Sequence, residues 1–131
     1  MVIVANPFAE VFSRFGEALE PVVGEGNWGD DINPTMTSTR YARLIQLGMP
    51  TTSKDLEGNE CATNLSVQAE AFASGVTATT DAYVVDNAIH QCMIDMGFRR
   101  TFGPEIIRNA DSRITRLVSR YARIYTGQLL N

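Results

Sequence analysis

The sequence is poor in the residues and spacings on which most enzymes depend. Histidine occurs once, at His90, so metalloprotease helices and most zinc sites cannot be built. The chain also lacks the glycine-rich spacings that bind phosphates and the Gly-x-Ser-x-Gly elbow of serine hydrolases. We therefore expect no enzymatic activity, no cofactor and no metal. The weakest alternative kept open is a small enzyme that uses His90 with Asp86.

Long apolar runs and paired cysteines are also missing. No stretch approaches the roughly 18 apolar residues of a membrane-spanning helix, and the short apolar opening lacks the basic flank of a signal peptide. We expect a soluble, unsecreted protein that does not bind membranes. The two cysteines, Cys61 and Cys92, form no Cys-x-x-Cys pair, which argues against a disulfide framework or a zinc site and predicts two reduced thiols.

What is present is the composition of an ordinary globular domain. The chain has 131 residues, of which 44% are hydrophobic and 20% are charged. Hydrophobic cores usually divide only beyond about 250 residues, so we expect a single domain over residues 1–131. A chain of this length buries roughly two thirds of its unfolded surface, which is enough for a real core.

Charge is distributed unevenly along the chain. Residues 1–98 carry a formal charge of −9 and residues 99–131 carry +5, which together make up the net charge of −4. Every base in the second segment is arginine, whose planar guanidinium binds carboxylate or phosphate groups through two hydrogen bonds. The basic end therefore meets DNA or the acidic part of another subunit, or it is a solvated strand face.

The N-terminal part predicts a helix followed by a long loop. Asn6 can cap a helix that starts at Pro7 and ends at Pro21, since apolar residues between them recur at steps of three and four. The segment 24–38 shows neither helical nor strand periodicity and is predicted to be a loop. Its Trp28 either lies against a neighbouring protein or folds back on its own core.

The middle of the chain predicts two strands and a second helix. Residues 39–47 favour a strand, and 64–73 alternate between apolar and polar side chains as a half-buried strand does. Between them, 48–63 is polar and is either a long hairpin tip or a mobile loop. A helix is predicted over 80–96, capped by Thr80 or Asp81 and ended by Gly97.

The C-terminal part predicts two more strands, at 99–108 and 113–125. The complete order gives an α+β fold, in which a largely antiparallel four-stranded sheet is packed by two main helices and joined by long loops. Arg-Tyr-Ala-Arg occurs at both 40–43 and 120–123, which predicts two similar Arg/Tyr faces in one sheet if the repetition is more than chance.

Three segments stand out in this order: Leu-Ser-Val-Gln-Ala-Glu-Ala-Phe at 65–72, the helix end Met-Gly-Phe-Arg-Arg at 96–100 and the strand Ser-Arg-Tyr-Ala-Arg-Ile-Tyr at 119–125. Together they resemble the second half of phage tail terminator and related minor capsid or tail-completion proteins. The resemblance covers roughly half of the chain, residues 65–125. The N-terminal half is similar only in its general plan.

The resemblance implies a structural virion protein of a long-tailed bacteriophage, assembled in the cytoplasm of the bacterial host. Such a protein forms a ring, commonly hexameric, at the head-proximal end of the tail tube, where it ends tube polymerisation and joins tail to head. Its partners would be the tail tube protein and a head-completion or neck protein, with DNA passing through transiently. The alternatives are a neck protein that binds the portal and a nucleic-acid-binding module.

A ring subunit meets its two neighbours through different surfaces, so complementary charges on one chain are physically reasonable. We therefore predict that arginines of the C-terminal segment pair with acids of a neighbouring subunit. The predicted interface residues are Arg113, Arg116, Arg120 and Arg123, the acids Glu17, Glu20, Glu25, Asp30 and Asp31, and Trp28.

Overall fold

The computed structural model describes residues 7–30, 39–48, 51–54, 60–107 and 113–125. In these ranges the chain forms two helices and six strands. In chain order they are α1 (Pro7–Val23), β1 (Trp28–Gly29), β2 (Arg40–Gly48), β3 (Thr51–Lys54), β4 (Glu60–Ser74), α2 (Ala78–Asp95), β5 (Arg99–Ile106) and β6 (Ile114–Tyr125). The α+β class expected from the sequence is confirmed.

The described strands form one sheet in the order β1-β2-β4-β6-β5. The short strand β3 pairs with the first residues of β4. Every pairing is antiparallel except that of β1 with β2, which is parallel. The expected four-stranded antiparallel sheet describes β2, β4, β5 and β6 correctly, but it omits the two short strands. In the described part of the chain, β1 and β5 are the edges of the sheet.

Helix α1 continues through Pro21, where the sequence predicted its end. Proline lacks the N–H that would bond to the carbonyl four residues earlier. At this position the loss affects only the last turn, which is closed by the Gly24 N–H donating to the Glu20 carbonyl at 2.8 Å. The apolar stripe of the helix is buried, with Phe15 fully enclosed. The expected cap, Asn6, lies outside the described residues.

The segment 24–38, predicted to be a loop, contains a short strand, so that prediction is wrong in part; in 48–63 the antiparallel pairing of β3 with β4 agrees with the hairpin, one of the two alternatives left open. In 24–38, β1 runs parallel to β2, and in 48–63, β3 pairs with the start of β4 so that Thr51 lies opposite Thr63. Alternation identifies a strand only where one face is buried over several residues. A two-residue strand and a Thr/Ser-rich segment show no such pattern. Residues 31–38 and 55–59 lie outside the described residues.

Helix α2 starts at Ala78, with Thr77 at the N-cap position, slightly before the predicted start. Neither Thr80 nor Asp81 is the cap, so that prediction is wrong. Asp81 lies within the first turn, where its carboxylate accepts a hydrogen bond from the Thr77 hydroxyl at 2.9 Å. It also forms an ion pair with Arg40 of β2 at 2.9 Å, which fastens the start of the helix to the sheet.

The predicted end of α2 at Gly97 is confirmed. Gly97 has a φ of +83°, a left-handed conformation that costs glycine little. Its N–H donates to the Ile94 carbonyl at 2.9 Å, and the Phe98 N–H donates to the Met93 carbonyl at 3.0 Å, which together form a Schellman motif. Cys92, predicted to be core, is buried on this helix.

The alternation of β4 divides the sheet into two faces. The covered face carries Leu65, Val67, Ala69, Ala71 and Ala73, on which α2 packs, while α1 lies beside α2 and packs on β2. The open face carries the alternate residues of β4, which are Ser66, Gln68, Glu70 and Phe72. The short alanine side chains allow the helices to approach the middle of the sheet closely.

The two copies of Arg-Tyr-Ala-Arg lie in β2 and β6, on either side of β4. They face opposite ways: Arg43 contacts Glu70 on the open face, whereas Tyr121 belongs to the core on the covered face. Side chains alternate with a period of two, so the register of each strand decides which copy faces the helices. The expectation of two similar Arg/Tyr faces is wrong.

Candidate functional site

The most concentrated polar cluster of the described residues surrounds Glu70 on the open face. Glu70 is fully buried, although the alternation of β4 predicted a solvated position. Arg43 of β2 donates to its Oε1 from Nε at 3.0 Å and also from Nη2. Arg116 of β6 donates from Nε to Oε1 at 3.1 Å and from Nη2 to Oε2 at 3.0 Å. One carboxylate therefore joins the three central strands.

This cluster continues along the open face toward the β5 edge. The Gln68 amide donates to Glu70 Oε2, and its Oε1 accepts a hydrogen bond from Arg120 Nε at 3.1 Å. The Arg120 guanidinium lies over the Phe102 ring of β5, 5.4 Å from the ring centroid. Stacking and hydrogen bonding together hold an exposed cation in a defined orientation.

The charge state of Glu70 follows from its surroundings. Burial by itself raises the pKa of a carboxyl group, but hydrogen bonds from Arg116 and Gln68 and the charges of Arg43 and Arg116 outweigh it. The pKa of Glu70 therefore lies below its ordinary value of 4.5, and the carboxylate is ionised at neutral pH. Two guanidinium groups against one carboxylate leave the centre of the open face with a net positive charge.

A second polar cluster lies between α2 and the paired strands β5 and β6. The Tyr121 hydroxyl accepts hydrogen bonds from Arg100 Nη2 at 2.7 Å and Nε at 3.1 Å. Buried Asp86 accepts from Arg100 Nη2 and from the Ser119 hydroxyl, each at 3.2 Å. His90 Nδ1 lies 3.2 Å from the Tyr121 hydroxyl. Because that oxygen already accepts two N–H groups, it donates its own proton to His90.

The two residues considered for catalysis, His90 and Asp86, both belong to this second cluster. His90, expected to face solvent or a neighbour, is half-buried against Tyr121, and the two carboxylate oxygens of Asp86 accept hydrogen bonds from Arg100 and Ser119. Burial raises the pKa of Tyr121 to about 12, so the phenol stays neutral and keeps its donor proton. Through Asp86, His90, Arg100 and Tyr121, these hydrogen bonds connect α2 to β5 and β6, and we call this set of contacts the bracket between α2 and β5.

The four predicted interface arginines occupy different environments. Arg116 is engaged inside the open face, and Arg123 donates from Nη1 to the Met96 carbonyl at the end of α2. Arg120 is exposed on the open face. Arg113 is exposed in the turn before β6, beside a groove of about 890 Å³ that separates it from the first turn of α2. The structure therefore does not bring the four together as one surface.

The predicted acids lie toward the opposite edge of the sheet. Glu17 and Glu20 are exposed on α1, Glu25 is exposed in the turn after it, and Asp30 is exposed directly after β1. Asp31 lies outside the described residues. Acids and arginines are thus separated across the width of the sheet, from the β1 edge to the β5 edge.

Trp28 packs on helix α1 of its own chain, which is one of the two alternatives that the sequence left open. Its ring lies 5.1 Å from that of Phe12 and covers Gly16, where a Cβ would overlap the indole. The indole Nε1 donates to Glu20 Oε2 at 3.3 Å. Trp28 remains half-buried, so part of the ring lies at the surface of the β1 edge.

No protein-family model matches this sequence, and no curated protein matches it either. Chains of solved structures do match, 17 in all. One belongs to the virion of a native gene transfer agent particle, with a TM-score of 0.60 over 87% of this chain and 90% of that chain. The two chains share a fold. At 13% identity the likeness concerns the fold alone.

The shared fold spans nearly the full length of both chains. In the described part of this chain, no helix is long and apolar enough to cross a membrane. The described residues also contain no group of three His, Cys, Asp or Glu side chains placed to hold a metal ion.

Arg43 and Glu70 were not predicted as partners from the sequence, and neither was Arg99, which is exposed on the β5 edge, predicted as an interface residue. An acidic side chain on the polar side of a strand is normally exposed to solvent. The signal that identifies a buried acid is an arginine at the facing position of a neighbouring strand, and this requires the strand pairing and register. Both are properties of the assembled sheet.

Proposed function

We propose that this chain is a structural component of a phage-like virion. The observation that carries the proposal is the likeness to a chain of the gene transfer agent virion, at a TM-score of 0.60 over most of both chains. A structural role needs surfaces rather than reactive groups, and the two polar clusters are engaged internally. The proposed role includes no enzymatic activity and no cofactor, and it places the chain in the virion after assembly in the host cytoplasm.

Within the virion, the proposed position is the head-proximal end of the tail tube. There the chain forms a ring, commonly hexameric, that ends tube polymerisation and joins tail to head. The resembling segments support this position, because they fall in β4, in the turn from α2 into β5 and in the second half of β6. The separation of acidic and basic residues to opposite edges also suits a subunit that repeats around a ring.

A head-completion or neck protein is the second candidate within the same class. The likeness to a virion chain favours it equally, and it would bind the portal rather than the tail tube. A nucleic-acid-binding module receives less support, because Arg116 and Arg123, two of the arginines it would use for phosphates, are engaged within the chain.

The proposal is tested by negative-stain microscopy and native mass spectrometry of the purified chain. The chain is examined alone, with uncapped tail tubes and with portal complexes of the same particle. The expected result is a ring that caps one end of each tube. Binding to the portal but not the tube selects the neck protein instead.

A chain that binds neither tubes nor portals overturns the virion role. Titration with short duplex DNA at low and high salt then tests the remaining candidate. Phosphate contacts make affinity fall steeply with added salt, so salt-insensitive or absent binding removes the nucleic-acid module as well.

A further inference from the structure

We infer that two opposite edges of this domain bind each other in successive copies of the chain. The acidic edge comprises Glu20, Glu25 and Asp30 around the Phe12–Trp28 ring pair; the basic edge comprises Arg99 and Arg120 around Phe102 on the open face. This inference rests on the proposed ring and identifies its subunit interface.

The acidic edge has the composition of a binding surface. Glu25 precedes and Asp30 follows the half-buried Trp28 in the chain, and both acids are exposed. Trp28 is itself held rigid by Phe12 and by the hydrogen bond to Glu20. Tryptophan is among the residues that contribute most binding energy at protein interfaces, and polar residues form the rim around such a centre.

The basic edge carries the opposite charge around a similar apolar centre. Phe102 of β5 is 38% exposed on the open face, which is high for a large apolar side chain on a strand. Arg120 is held over Phe102, and Arg99 is exposed on the same edge strand. Glu105 is an exposed acid on β5 and moderates the positive charge without cancelling it.

The occupant that fits each edge is the other edge of a second copy. The strand order places β1 and β5 at opposite sides of the described sheet, so one molecule cannot bring its own edges together. A contact between two different patches repeats head to tail and closes into a ring when the rotation permits. Complementary charges on these edges would set the register and orientation of each contact.

The test uses two charge-reversed chains. The basic-edge variant is Arg99→Glu with Arg120→Glu, and the acidic-edge variant is Glu25→Arg with Asp30→Arg. They change the formal net charge from −4 to −8 and to 0, respectively. Each variant alone carries like charges on both edges, whereas a mixture offers complementary edges at every contact.

Sedimentation velocity and native mass spectrometry measure assembly, both free and on tail tubes. We expect each variant alone to assemble at least about tenfold more weakly than the wild type, since like charges face each other. An equimolar mixture is expected to recover assembly with alternating subunits. The control variant, Thr80→Glu with Asn87→Glu on the exposed side of α2, is expected to assemble normally.

Normal assembly of either variant alone, or failure of the mixture to recover, overturns the inference. A wild-type chain that is monomeric both in solution and on tubes overturns it too. Rings that cap tubes but ignore the charge reversals reject this interface and leave the proposed function standing. If the two variants assemble with each other but bind neither tubes nor portals, the interface stands and the proposed function is rejected.

Discussion

Arg116 binds Glu70 through both carboxylate oxygens, at 3.1 and 3.0 Å, across the pairing of β6 with β4. Arg43 reaches the same carboxylate from β2 on the other side. A slip of one residue in either pairing would turn these partners to opposite faces of the sheet. The buried cluster therefore specifies the register of the three central strands.

The first prediction concerns the charge of Glu70. Glu70→Gln leaves the guanidinium groups of Arg43 and Arg116 close together without their carboxylate, and removing one partner from a buried ion pair costs about 3–5 kcal/mol. Urea unfolding should show a loss of this size. Glu17→Gln, at an exposed acid on α1, should change stability by less than about 0.5 kcal/mol. Equal effects of the two substitutions would contradict the assigned role.

The second prediction is a pH dependence. The pKa of Glu70 is lowered in the folded chain, so the unfolded chain binds its proton more readily. Its contribution to stability is therefore complete above the ordinary pKa of 4.5 and is lost as pH falls through the folded value. Unfolding measured from pH 7 to pH 3 should show this loss, and Glu70→Gln should show a shallower one. Parallel profiles for the two chains would refute the assignment.

The third prediction concerns the bracket between α2 and β5. Tyr121→Phe removes the hydroxyl that receives two hydrogen bonds from Arg100 and donates one to His90. Unsatisfied buried donors cost about 1–3 kcal/mol, so the free energy of unfolding should fall by that amount. Tyr83→Phe on the exposed side of α2 is the matched control and should be neutral. A neutral Tyr121→Phe would show that the bracket adds no stability.

The fourth prediction is that replacing a helical glycine by alanine destabilises this chain, although the same replacement usually stabilises a helix. Alanine usually stabilises a helix interior by about 0.5–1 kcal/mol relative to glycine, but a Cβ at Gly16 overlaps the Trp28 ring. Gly16→Ala should therefore destabilise the chain by about 1–3 kcal/mol, as overpacking does. Trp28 is the only tryptophan, so its fluorescence should also report a more solvated indole.

The control for this fourth prediction is the same substitution without the ring. In a Trp28→Ala background, Gly16→Ala should become stabilising, because only the helix propensity remains. If Gly16→Ala stabilises the wild-type chain as well, the indole does not cover Gly16 in solution.

Several elements were predictable because their signals are local. The alternation of 64–73 follows from one buried face of β4, and the helical stripe ending at Gly97 follows from the periodicity and capping of α2. β1 and β3 were not predictable, since a pairing partner rather than a residue pattern makes them strands. Of the open-face cluster, the sequence indicated Arg116 and Arg120 as interface arginines but not Glu70 and Gln68, to which they are hydrogen-bonded.

By itself, the sequence determined the fold class, most positions of the long elements and the uneven distribution of acids and arginines along the chain. These depend on periodicity, caps and composition, which are written along the chain. Only the tertiary structure decided that Arg116 faces Glu70, that Arg123 serves the end of α2, and that Arg99 and Arg120 lie across the sheet from Asp30. Whether a charge is buried, paired or available depends on the neighbouring strand and its register, and residues distant in the chain supply both.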